Sequence, residues 1–137
     1  MPVTNRNTFF INKARIIAFS KRQNTVETST FSSEFTALKN AVELVEALRY
    51  KLRMFGGPIE GPTNVFCDNE SVYKNVSTPE SVLKKKHHRI AYHFCREAVA
   101  ASTIHIAKET TATNLSDLFT KILLQFVCEK LLDWFTY

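Results

Sequence analysis

Apolar side chains recur at Phe35, Leu38, Val42, Val45, Leu48 or Arg49, Leu52 and Phe55, in steps of three and four. That spacing fills one face of a 3.6-residue helix and predicts a long amphipathic helix. Gly56-Gly57-Pro58 closes it, because glycine can enter the left-handed cap conformation and proline cannot continue the helical bonding. Gly61-Pro62 marks a second turn, and the run Thr63 to Cys67 predicts a short buried strand. Asp68-Asn69 then stand where that strand gives way to a short helix through Ser71, Val72 and Tyr73. Upstream, the β-prone runs Thr8 to Ile11 and Ala14 to Phe19 are separated by Asn12-Lys13 and predict an antiparallel pair. Downstream, a loop containing Thr78-Pro79 leads to a second long helix, Lys85 to Ala101. Its predicted apolar stripe is Ile90, Phe94 and Ala98, with Ala91 and Cys95 beside it, and its other face is basic. Thr103 to Ala107 reads as another strand. A final helix begins near Asn114 and carries Leu115, Leu118, Phe119, Ile122 and Leu131.

Composition narrows this picture without changing it. The chain has 137 residues, 45% of them hydrophobic, with 11 Phe but only 3 Gly and 4 Pro. Those values suit one soluble domain with a bulky core and argue against a disordered or fibrous chain. A net charge of +5 favours polyanionic partners such as nucleic acid. Cys67, Cys95 and Cys128 are widely spaced and form no Cys-x-x-Cys pair, which fits a reducing compartment and gives no zinc motif. No apolar run approaches the roughly 20 residues needed to span a bilayer. Polar and charged residues interrupt the first apolar stretch, so neither a signal peptide nor an anchor is expected, and the expected location is cytoplasmic or nuclear.

Three acids stand at element boundaries: Glu34 opens the first long helix, Asp68 ends a strand, and Asp117 lies in the first turn of the last helix. Two-metal phosphodiester hydrolysis needs several hard carboxylates converging from separate elements. Each acid taken alone also fits a helix-capping or dipole role. The cluster Lys84, Lys85, Lys86, His87, His88 and Arg89 continues to His93 and Arg96, so that Arg89, His93 and Arg96 share a helix face suited to a phosphate backbone. A solvated basic face is the simpler alternative. His87, His88, His93 and His105 contain no i, i+4 pair, which argues against a transition-metal site. Cys67 and Cys95 are expected to pack inward, Trp134 and Phe135 to anchor the terminal helix, and Ser32 and Ser33 to help start the first.

Four segments in one order carry a family resemblance. TSTFSSEFTALKNAVELVEALR is similar to the copia-type retrotransposon segment in which a Ser/Thr-rich turn precedes Glu and a long helix. NVFCDNESVYKN matches that family's strand ending in Cys-Asp-Asn. KKKHHRIAYHFCREAV resembles its basic helix, and TNLSDLFTKIL its closing segment. The resemblance runs from about Ala14 to Lys121, strongest over 14–121, with residues 122–137 as a C-terminal helix. It implies an α/β, ribonuclease H-like domain: a mixed five-stranded sheet flanked by helices, hydrolysing the RNA strand of RNA–DNA hybrids with magnesium. By that match Glu34, Asp68 and Asp117 are three of four metal-binding, catalytic acids, and Lys84, Lys85, Lys86, Arg89, His93 and Arg96 face nucleic acid. The implied neighbour is an upstream reverse-transcriptase domain.

The resemblance also predicts a departure. Its fourth acid comes first, on a central strand that would lie between the opening hairpin and Thr63 to Cys67, yet no Asp or Glu precedes Glu27. The chain is therefore expected to be an N-terminally truncated single domain, 1–137, missing its first strand. Open sheet edges cost about 1–3 kcal/mol per buried unpaired group and invite self-association. Without the bridging carboxylate, little hydrolysis by the chain alone is expected. The stretch KETTATN also lacks the histidine that cellular ribonucleases H often use for proton transfer. The alternatives are a nucleic-acid-binding remnant or repurposed copy with an incomplete metal site, and a cellular protein sharing the fold alone.

Overall fold

In a computed structural model of the chain, residues 4–11, 14–22, 30–78 and 89–110 are described. They form a mixed α/β arrangement: strands β1 (Thr4–Ile11) and β2 (Ala14–Arg22), helix α1 (Thr30–Met54), strand β3 (Thr63–Cys67), helices α2 (Glu70–Ser77) and α3 (Arg89–Ala100), and strand β4 (Ile104–Lys108). The four described strands make two separate two-stranded sheets, β1–β2 and β3–β4. The chain divides into two compact units, Met1–Glu27 with Glu109–Tyr137, and Thr28–Lys108. The predicted final helix from Asn114 lies outside the described residues. Among the described residues no helix is long and apolar enough to cross a membrane.

In the first unit, β1 and β2 pair antiparallel from Thr4↔Arg22 to Ile11↔Ala14. The register slips between Phe9 and Phe10, which face Ile17 and Arg15 respectively, leaving Ile16 as the extra residue of a bulge. The predicted hairpin is therefore present, with both strands longer than the β-prone runs alone suggested.

The second unit is built around β3 and β4. They pair in parallel, Thr63↔Ile104 through Cys67↔Lys108, so the connection between them must cross over, and it carries α2 and α3. Alternation along both strands sets one face inward: Cys67, Ile104 and Ile106 are buried, while Asn64, Phe66 and His105 are exposed. Phe35, Leu38, Ala41, Val42 and Val45 of α1, Val72 and Val76 of α2, and Tyr92, Cys95 and Ala98 of α3 complete this core. Phe35 is fully buried, its ring 5.6 Å from that of Phe31 and 6.3 Å from that of Tyr92.

Two expectations about helix faces need correction. Ile90, assigned to the apolar stripe of α3, is 83% exposed, and the buried face runs Tyr92, Cys95, Ala98 instead. The tyrosine ring supplies apolar area there while its hydroxyl accepts a hydrogen bond from Arg96 Nη1. Phe55, counted with the α1 stripe, is 86% exposed because the helix has ended before it.

Both long helices end in the same way. Gly56, at φ +75°, follows α1, and the amides of Gly56 and Gly57 donate to the carbonyls of Arg53 and Leu52 at 2.9 Å each. This is the six-residue closure that leaves few orphan carbonyls. After α3 the equivalent position is Ser102, at φ 55°, with Ser102 and Thr103 amides donating to Val99 and Ala98 at 3.0 Å. Arg49 then fixes where the chain goes after α1: its Nη1 donates to the Gly61 carbonyl at 3.0 Å and to Thr63 Oγ1 at 2.9 Å.

Phe35→Ala is expected to cost roughly 3–5 kcal/mol in urea denaturation, since it empties the contact between α1 and α3. Ser102→Gly is expected to stabilise the protein by roughly 0.5–1 kcal/mol, the relief of a left-handed L-residue less the entropy glycine adds to the unfolded chain. A loss of stability in Ser102→Gly would contradict this account of the α3 cap.

Candidate functional site

The carboxyl ends of β3 and β4 lie side by side, and chemistry-bearing residues follow each. Cys67, the last residue of β3, pairs with Lys108, the last of β4. Asp68 comes next, half-buried, and Asn69 caps α2: its Oδ1 accepts from the amides of Ser71 at 3.0 Å and Val72 at 3.2 Å. The N-cap of α2 is thus filled by Asn69.

Glu34 stands on α1. The helix begins at Thr30, so Glu34 does not open it but lies in its second turn, half-buried. Ser32 and Ser33 sit buried inside that first stretch of helix, where Ser33 Oγ donates to the Thr30 carbonyl at 2.9 Å. The helix dipole acts mainly within the first turn, so it is a weak reason for Glu34 to stand where it does.

The Cys67 thiol lies within electrostatic reach of both acids. It is pushed up to about 11, chiefly by burial, with a backbone hydrogen bond at Asn69 partly offsetting the rise and the negative charges of Asp68 and Glu34 adding to it. Two carboxylates from a strand end and a helix therefore act on one buried sulfur. The thiol stays uncharged at neutral pH, as does Cys95, which burial pushes up to about 12. Both cysteines pack inward, as their positions on β3 and α3 suggested. Uncharged buried thiols are poor nucleophiles and poor metal ligands.

The third predicted acid, Asp117, lies outside the described residues, as do Lys84, Lys85 and Lys86. Among the described residues no group of three or more His, Cys, Asp or Glu is gathered as a metal would require. On α3, Arg89 and His93 are exposed. Arg96, predicted to share their face, is half-buried: its guanidinium lies 5.1 Å from the centre of the Tyr92 ring and donates to the Tyr92 hydroxyl.

One charged cluster escaped the reading of the sequence. Glu70, in the first turn of α2, holds Lys74 Nζ at 2.6 Å through Oε1 and Lys108 Nζ at 3.0 Å through Oε2. Hydrogen bonds from Lys74 and Lys108 hold its carboxyl down to about 2, well below its ordinary 4.5. The Glu70/Lys74 spacing of four is visible in sequence. Lys108 is 38 positions away, and only the parallel register brings it in.

No family model and no solved structure matches the chain. It is similar to two retrovirus-related Pol polyproteins, from the transposons RE2 and RE1 of Arabidopsis thaliana, each 26% identical over 102 residues covering 74% of the chain. The chain spans about 7% of the length of these curated relatives. The similarity supports an origin in a retrotransposon polyprotein.

Removing either carboxylate is expected to lower the Cys67 thiol from about 11, because each negative charge opposes thiolate formation. In protein with the other two cysteines replaced by serine, Glu34→Gln and Asp68→Asn should each speed alkylation of Cys67 at mildly alkaline pH. Unchanged rates in both variants would show that the two acids do not converge there.

Proposed function

We propose that the chain is a ribonuclease H-like module of a copia-type retrotransposon polyprotein, serving hydrolysis of the RNA strand of RNA–DNA hybrids. The observation that carries this reading is the position of the half-buried Asp68 directly after β3, at the carboxyl end of a parallel strand pair, with Glu34 within electrostatic reach of the neighbouring Cys67 thiol. The carboxyl end of parallel strands is a common location for ligands in α/β sheets. The similarity to retrotransposon Pol polyproteins supports the same context.

Carboxylate oxygens are the hard donors magnesium takes, so Glu34 and Asp68 suit it chemically, with Asp117 as the third member by resemblance. Bound there, magnesium supplies Lewis acidity and an activated water for phosphodiester hydrolysis. Glu34 and Asp68 do the holding, and the protonated Cys67 thiol adds no competing soft ligand. Arg89, His93 and Arg96, with Lys84, Lys85 and Lys86, are the proposed contacts to the nucleic-acid backbone. Arg96 is steadied for that role by the Tyr92 ring and hydroxyl.

No Asp or Glu precedes Glu27, so nothing in that stretch supplies a fourth carboxylate. That observation favours a second form of the reading, in which these 137 residues bind hybrid without cutting it.

The test is to incubate the purified protein with a labelled RNA–DNA hybrid and magnesium. Expected are salt-sensitive hybrid binding, weakened a few-fold by Arg89→Ala and Arg96→Ala, and little or no cutting. A magnesium-dependent shift in the Cys67 alkylation rate, abolished by Asp68→Asn, is the accompanying sign of ion binding. Robust cutting that disappears in Asp68→Asn would overturn the binding-only form. Absence of both hybrid binding and a magnesium effect would sink the proposal as a whole.

A further inference from the structure

Two lysines at the carboxyl end of β3 and β4 bracket one carboxylate. Glu70 presents one oxygen to Lys74 at 2.6 Å and the other to Lys108 at 3.0 Å. The three side chains are open to water, with Lys74 66%, Lys108 50% and Glu70 52% exposed. Lys108 ends β4 directly across from Cys67, and Asp68 is the first residue after β3. The cluster therefore stands beside Asp68.

We propose that Lys74 and Lys108 form a two-pronged grip for a backbone phosphate of nucleic acid, and that Glu70 fills the grip when no nucleic acid is present. The inference rests on the nucleic-acid reading given above and names a contact outside the α3 stripe.

Three arguments support it. The first is shape: two ammonium groups already converge on a pair of oxygens carried by one atom, and a phosphate offers the same pair with at least as much charge. The second is electrostatic. Glu34 and Asp68 repel a polyanion, so a nucleic acid brought to them needs cations close by, and Lys74 and Lys108 are cations held at that strand end. The third is exchange. Ion pairs this open to solvent are held weakly, so the carboxylate can give way to a phosphate without cost to the core. Lysine suits the task as a mobile point charge with three donors.

The grip makes Glu70 a competitor. Its removal should tighten binding, whereas a carboxylate that merely ties β4 to α2 should affect stability alone. Hybrid affinity is measured across a salt series for the full chain, Glu70→Gln, Lys74→Gln, Lys108→Gln and the double lysine variant. Glu60→Gln, which removes an exposed acid elsewhere, controls for net charge, and thermal melting confirms that each variant is folded.

Expected are several-fold tighter binding in Glu70→Gln than in Glu60→Gln, and a salt slope that flattens by about one for each lysine lost. Lys74 lies on the open face of α2, so Lys74→Gln remains informative should Lys108→Gln fail to fold. Equal effects of Glu70→Gln and Glu60→Gln, or an unchanged slope in Lys74→Gln, would overturn the grip and leave the nuclease-module reading standing. A wild-type chain that binds neither hybrid nor duplex DNA would overturn both.

Discussion

Parallel pairing of Thr63–Cys67 with Ile104–Lys108 is the constraint on which the second unit depends. Strands that run the same way cannot be joined by a tight turn, so the chain must leave one end of the pair and return to the other. α2 and α3 are carried on that return path. Their buried residues, Val72, Val76, Tyr92, Cys95 and Ala98, cover the same sheet face that Cys67, Ile104 and Ile106 present, and α1 closes the core through Phe35 and Val42. The same pairing aligns two strand ends at one level. Residues that follow β3 and residues that finish β4 consequently become neighbours, whatever their distance along the chain.

The charges gathered there are of two kinds. Glu34 and Asp68 are half-buried, and each adds to the rise of the Cys67 thiol that burial chiefly causes. Glu70, Lys74 and Lys108 are exposed, and salt screens them readily. In the proposed reading the partly buried acids hold an ion, and the exposed lysines, exchangeable from Glu70, meet a polyanion that must arrive and leave. The similarity to retrotransposon polyproteins supports an origin in such a polyprotein.

Much of this unit was legible in the sequence because its local signals agree. The run Thr63 to Cys67 is β3 to the residue, and Gly56 stops α1 as the glycine-glycine-proline signal required. The placement of Cys67 and Cys95 in the core followed from their elements. Ile90 misled because a stripe drawn from hydropathy passes over tyrosine. Tyr92 takes the inward position, since Arg96 satisfies its hydroxyl and frees the ring for burial. Glu34 was recognisable as a candidate but not as a second-turn residue, because Thr30 to Ser33 are weak helix formers that tertiary burial of Ser32 and Ser33 draws into α1. The reach of Lys108 to Glu70 depended on register, which no local pattern encodes.

The closure of α3 leaves almost no slack before β4. Helix ends at Ala100, Ser102 turns the chain, and Ile104 is already paired. One extra residue in that three-residue bridge would shift β4 by a single step against β3. Because side chains alternate across a strand, the shift would carry Ile104 and Ile106 out to solvent and His105 into the apolar interior. Length variation in this unit is therefore barred at the α3–β4 corner.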